Sequence, residues 1–383
     1  MINSISQIVL LELKDAFSFD SHRSPKIQDA ILINYYELLQ NKLDIFLNKL
    51  KNVDTSKHNI LNQKYNSRTS DEKKIFLKLP EIAHRIISYN SSNLLNIAIF
   101  FLKAIDAEIA RMTNSYEQDN YEHLWTAGGS FYIKYDHSKL NFSVFETFHI
   151  LDNIPVDFLS PYNLKITNND LNESPDSLIN IYELNEIEGL CDKLEYAVNP
   201  IHDLSNIINQ LRNFISVVVI NRITINGNPT SFYSGSDALY PCRVIISNIA
   251  KAKPEAIIES LIHESIHSAL YMTDLCNPWL PDSNKRKEFN YNVQSPWTGN
   301  KISLANIIEA VFVWYGVYKF WRMAEKENLY DPEIRKKRLI FLKNGFSSLN
   351  IKDIFHKYDF NNENSLVTVI SLLRTDVLSK EMT

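Results

Sequence analysis

A chain of 383 residues that is 45% hydrophobic and 11% aromatic can bury a sizeable core, enough for two domains or one domain with a long helical extension, which excludes a small disulfide-stapled domain. Its 40 basic and 45 acidic residues sum to −5, so no overall basic field draws the chain to nucleic acid and no acidic tail is present. The three cysteines, Cys191, Cys242 and Cys276, are widely spaced without a Cys-x-x-Cys pair, Met1 to Phe17 lacks a signal-peptide pattern, and no apolar run reaches the roughly 18 residues of a membrane helix. These features predict a cytoplasmic protein without a membrane or nucleic-acid partner.

Apolar residues at helical spacing predict helices from Ile5 to about Lys51, broken at Phe19-Asp-Ser-His-Arg-Ser-Pro25. The polar stretch from Asn52 to Lys74 reads as a loop. Two amphipathic helices follow, around Glu72 to Tyr89 and from Ser92 to about Met112. At Gly128-Gly129 the texture changes to short alternating runs, Phe131 to Tyr135 and Phe142 to Phe148, which read as strands. A second helical block spans about Ser177 to Leu211. Ile215 to Ile225, rich in β-branched residues and ended by the turn signal Asn226-Gly227, is the best strand candidate and an edge on which an extended peptide could add. Ser231 to Tyr240 reads as a loop, Arg243 to Ser247 as a second strand, and Ser303 to Lys326 as a long helix. The class predicted is α+β and mainly helical: a helical N-terminal region, 1–125, followed by a metal-binding domain with a small mixed or antiparallel sheet, 126–383.

Pro254 opens a helix carrying His263-Glu264-Ser-Ile-His267. Residues four apart lie on one helix face, so His263 and His267 can direct both imidazoles at a single ion, while Ile257, Ile258, Leu261, Ile262, Ile266, Ala269 and Leu270 place the opposite flank in a core. A third ligand has to come from elsewhere. Downstream, Glu309 sits in the nearly uninterrupted apolar run from Ile307 to Trp321, where an ionised carboxylate without a compensating charge costs several kcal/mol. A metal ion would compensate it, as would a buried Lys or Arg, and Gly316, seven residues on, would leave room beside it. Asp282 and Glu288, in a charged loop, are weaker candidates. With zinc, His263, His267 and Glu309 form the three-ligand set of a metallohydrolase, with Glu264 as general base. With iron(II) the same three residues form a two-histidine, one-carboxylate face.

Over His263 to Trp321 the chain resembles the HExxH-domain family of 2-oxoglutarate-dependent peptide β-hydroxylases found beside peptide natural-product gene clusters. The resemblance rests on His263-Glu264-x-x-His267, on Ser295-Pro296-Trp297, on Phe320-Trp321 and on the upstream Ser231-Phe-x-Ser234-Gly235-Ser236. Many members carry a histidine where this chain has Glu309. The resemblance implies iron(II) and 2-oxoglutarate as cofactors, dioxygen as oxidant and β-hydroxylation of a residue in a ribosomally made precursor peptide, with Glu264 in a supporting role. It also implies a cation for the far carboxylate of 2-oxoglutarate, for which Arg243 is the first choice, Arg222 the reserve, and Arg322 poorly placed. Zinc peptidase chemistry based on Glu264 is the alternative.

Overall fold

The computed structural model describes residues 10–20, 22–113, 123–136, 141–163, 177–278, 292–350 and 364–379. The chain is α+β and mainly helical. It divides into two compact units, each assembled from separated segments: the first from Met1–Tyr35, Asn199–Asn213 and Glu255–Thr383, the second from Tyr36–Val198 and Phe214–Pro254. The expected boundary at 125/126 falls inside the second unit. Among the described residues no helix is long and apolar enough to cross a membrane.

In the second unit the C-terminal part of α2 (Ser24–Val53) packs with α3 (Thr55–Asn66), α4 (Ser70–Lys78), α5 (Pro80–Ser88) and α6 (Leu94–Thr113). Leu43, Leu61, Phe76, Leu77, Ile86 and Phe101 fill the space between them. The loop expected over 52–74 is therefore largely helical. Its helices are set by caps rather than by an apolar stripe: Asp54 accepts from the Lys57 amide, and Thr69 and Glu72 form a reciprocal capping box. Only Leu61 and Tyr65 of α3 are buried, so the composition reads as polar even though the backbone is helical. The helix expected from Glu72 to Tyr89 is interrupted at Leu79, where Pro80 starts α5 without needing an amide hydrogen.

The same unit holds β1 (His123–Trp125), β2 (Phe131–Asp136) and β3 (Asn141–Glu146) as an antiparallel sheet. A larger mixed sheet takes the order β4 (His149–Ile150), β5 (Ile154–Asp157), β7 (Val217–Ile225), β10 (Arg243–Ser247), β9 (Tyr233–Gly235). Two more strands, β6 (Ser177–Asn180) and β8 (Asn228–Pro229), pair with the far half of β7. Asn226 and Gly227 both have positive φ, 51° and 76°, and form the tight turn from β7 to β8 that the dipeptide predicts. β6 and β9 replace parts of a predicted helix and loop, and α7 (Leu184–Val198) carries the remainder of that helical block toward α8 (Ser205–Phe214). Strand β7 is central: β5 and β10 flank its first half, β6 and β8 its second, so neither edge is open to an added peptide as the sequence had suggested.

The first unit comprises α1 (Leu10–Ala16), the start of α2, most of α8, and the motif helix α9 (Pro254–Cys276). It continues through the hairpin β11 (Asn292–Gln294) and β12 (Lys301–Ser303), then α10 (Leu304–Lys326), α11 (Pro332–Ser348) and α12 (Asn364–Leu378). Ser303 caps α10 through the Asn306 amide, and Asp331 caps α11 through the amides of Glu333 and Ile334.

At the end of β5, Asp157 is buried and accepts hydrogen bonds from the Leu159 and Ser160 amides and the Ser160 hydroxyl. Burial outweighs these donors and pushes its carboxyl up to about 6. The folded chain therefore holds a proton that the unfolded chain, titrating near 3.8, gives up, and this contribution to stability is lost as pH rises through about 6. Asp157→Asn is expected to gain on the wild type, by on the order of 1–3 kcal/mol, between pH 4 and 7. Denaturant midpoints across that range test this; a gap that stays constant with pH would refute it.

Candidate metal centre

Helix α9 is buried along almost its whole length, and the predicted apolar flank, Ile257, Ile258, Leu261, Ile262, Ile266, Ala269 and Leu270, is fully enclosed. One turn apart on the remaining face, the imidazoles of His263 and His267 have ring centroids 5.0 Å apart. Each of His263, Glu264 and His267 offers a ligand atom within 4.8 Å of the others, and Glu264 is only 4% exposed.

Helix α10 runs antiparallel to α9. Three contacts define the register: Trp321 Nε1 donates to Glu259 Oε2 at 2.6 Å, the Trp314 ring meets His263 edge-on at 4.9 Å, and Glu309 Oε2 lies 3.6 Å from His267 Nδ1. The approach is close because Gly316 faces Ile266: a Cβ there would stand 2.4 Å from Ile266 Cδ1 and 3.3 Å from Phe17 Cβ. The room expected beside Glu309 from Gly316 is thus taken by Ile266, and the glycine serves helix packing.

The separation of 3.6 Å between His267 Nδ1 and Glu309 exceeds a hydrogen bond, and among the described residues this buried nitrogen has no hydrogen-bond partner. Two ligands about 2.1 Å from a shared ion in near-tetrahedral geometry stand about 3.4 Å apart, so the two atoms are spaced as co-ligands. Burial pushes both imidazoles down to about 4, with Arg338 adding to the effect at His263 and the neighbouring His263 at His267. Both rings are therefore neutral at neutral pH, the form that binds metal. Among the described residues the side chains whose ligand atoms lie together are His263, Glu264 and His267, and Glu309 approaches that group beside His267.

An aromatic wall supports this face. Trp297, from the Ser-Pro-Trp segment, stacks on Trp314 at 6.2 Å and packs edge-on to Phe346 at 5.1 Å. Its indole lies against Gly345, where a Cβ would come within 2.1 Å of two ring atoms. Trp314 and its neighbour Arg338 carried no signal in the sequence, because each gains meaning only from the packing of α10 and α11. Glu259 was legible in principle, being one turn before His263 on the same face.

Each of the proposed arginines has a carboxylate partner within its own unit. Arg243, in the second unit, is buried with Nη1 3.6 Å from Glu81 Oε1 and its guanidinium 3.9 Å over the Tyr240 ring. Arg222, also in that unit, pairs with Glu186 and covers Tyr182. Arg322, in the first, pairs with Glu325. Asp282 and Glu288 lie outside the described residues.

Two outcomes are expected. In excess chelator the thermal midpoint should fall as pH drops from about 6.5 toward 4, because the unfolded chain then takes up protons that the folded imidazoles, near 4, refuse. Replacing both histidines by Asn should flatten that slope. Separately, Gly345→Ala should displace Trp297 and cost about 1–3 kcal/mol, read from denaturant midpoints and tryptophan fluorescence. Unchanged emission would count against the stack on Trp314.

Compared with models of protein families and with curated proteins, the chain matches none, so the functional reading rests on the geometry of α9 and α10 and on the resemblance carried by their residues.

Proposed function

We propose that the chain is a metal-dependent oxidoreductase of the 2-oxoglutarate dioxygenase type, hydroxylating the β-carbon of a residue in a ribosomally made precursor peptide. The observation that carries it is the 3.6 Å approach of Glu309 to His267, which adds one carboxylate to two imidazoles on a single face. Supporting it, the residues of the resemblance pack around that face: Trp297 on Trp314, and Trp321 on Glu259. Iron(II) held there would supply the dioxygen chemistry, with 2-oxoglutarate as the electron donor. His263 and His267 would hold the ion as neutral ligands, and Glu309 would offset one of its charges. Glu264, buried beside them, would orient what binds next to the histidines.

Zinc peptidase chemistry is the second reading, favoured by one observation. The Glu264 carboxylate lies within 4.8 Å of the imidazole nitrogens, close enough to take a proton from a water molecule in that space.

Aerobic incubation with iron(II) and 2-oxoglutarate should release succinate, and a peptide substrate should gain one oxygen in mass. His263→Ala and His267→Ala should each abolish both. Succinate release that survives loss of both histidines would sink the proposal. Peptide cleavage by the zinc-loaded protein, lost in Glu264→Gln with metal retained, would establish the second reading instead.

A further inference from the structure

Glu259, one turn before His263 on α9, is held from two sides. The Arg338 guanidinium, from α11, grips its carboxylate in bidentate fashion, Nε to Oε2 at 2.7 Å and Nη2 to Oε1, while the Trp321 indole donates to Oε2 at 2.6 Å. Arg338 in turn lies 4.4 Å over the Phe341 ring and 6.0 Å from the centroid of Trp314. Phe341 meets Trp314 edge-on at 5.7 Å, and Trp314 meets His263 at 4.9 Å. A continuous chain of contacts thus runs from an ion pair that joins α9 to α11 through two aromatic rings to one imidazole.

We propose that the Glu259–Arg338 pair is a positioning element for the metal centre, fixing Trp314 and through it the ring of His263. The proposal rests on the reading of His263 and His267 as metal ligands. Its physical basis is that a ligand set works only when its rings are held to within about 0.5 Å and 10–20°, which surrounding side chains must enforce. A flexible arginine becomes suitable for this once both edges of its planar fork are committed to one carboxylate. Glu259 also cancels a positive charge that would otherwise oppose a cation beside His263.

Charge and position make opposite predictions for one substitution. If Arg338 acted on the ion only through its charge, Arg338→Met would remove a repulsion and tighten metal binding. If it positions His263, the same change weakens binding. Cobalt(II) is the probe, followed by its visible absorption and by competition with a chelator. We expect roughly 10- to 100-fold weaker binding for Arg338→Met, and weaker binding also for Arg338→Lys, which keeps the charge but loses the fork. Circular dichroism checks that each variant is folded, and the lysine variant carries the test if the methionine variant is not.

The His263 ring-proton resonances of the metal-free protein, shifted by the Trp314 ring current, give a second reading that needs no metal. They should move in both variants. Cobalt affinity equal to or tighter than wild type in the folded variants would overturn the proposal. If the wild-type protein takes up no cobalt, the assignment of His263 and His267 as ligands fails, and the ring resonances alone decide the positioning role: unmoved resonances overturn it.

Discussion

The close antiparallel approach of α9 and α10 is the constraint on which the candidate centre depends. Helix α9 alone brings His263, Glu264 and His267 to one place, and the packing of α10 adds a further carboxylate beside His267. That carboxylate, Glu309, comes from a second helix close enough to stand 3.6 Å from His267 Nδ1. Gly316 permits this, because a Cβ there would press against Ile266 at the crossing. Around that contact the two helices place Glu259 against Trp321, His263 against Trp314 and His267 against Glu309.

Rotation of α9 about its own axis is fixed from the other flank. Gln28 on α2 donates to the side-chain oxygen of Gln210 on α8 at 2.9 Å, Gln210 donates to the Ser265 hydroxyl at 3.2 Å, and Ser265 closes the chain on the Ile262 carbonyl at 2.8 Å. Gln28, Gln210 and Ser265 are all buried, so turning the helix would strand buried polar groups at a cost of about 1–3 kcal/mol each. Ser265 lies between the two histidines, so the network holds the helix at the point where its orientation matters most. An apolar flank could bury the helix; hydrogen bonds with fixed directions set its angle.

Electrostatics on the opposite face follow from the same enclosure. Withdrawal from water keeps both imidazoles neutral, while Glu264 and Glu309 bring carboxylates to the same face. Neutral nitrogen donors and carboxylate oxygens are a donor set suited to a divalent ion rather than to an anionic ligand. Arg338, the cation that acts on His263, has its charge matched by Glu259.

Much of this was written in the sequence. Apolar periodicity located α9 and α10, β-branched density located β7 and β10, and Asn226-Gly227 announced its turn, because each signal acts over a few residues. The same local rules missed α3, whose cap stabilises a helix that buries little, and they could not show that β7 is covered on both edges. The pair His263 and His267 was fixed by spacing alone, since a helix imposes its own geometry on residues four apart. Glu309 stands out in the sequence as a carboxylate in an apolar helix. The depth of Glu264, the use of Gly316 for Ile266, and the path from Arg338 through Trp314 to His263 were decided only by tertiary structure. These depend on which faces of distant helices meet, and no local pattern encodes the distance between two side chains brought together by packing.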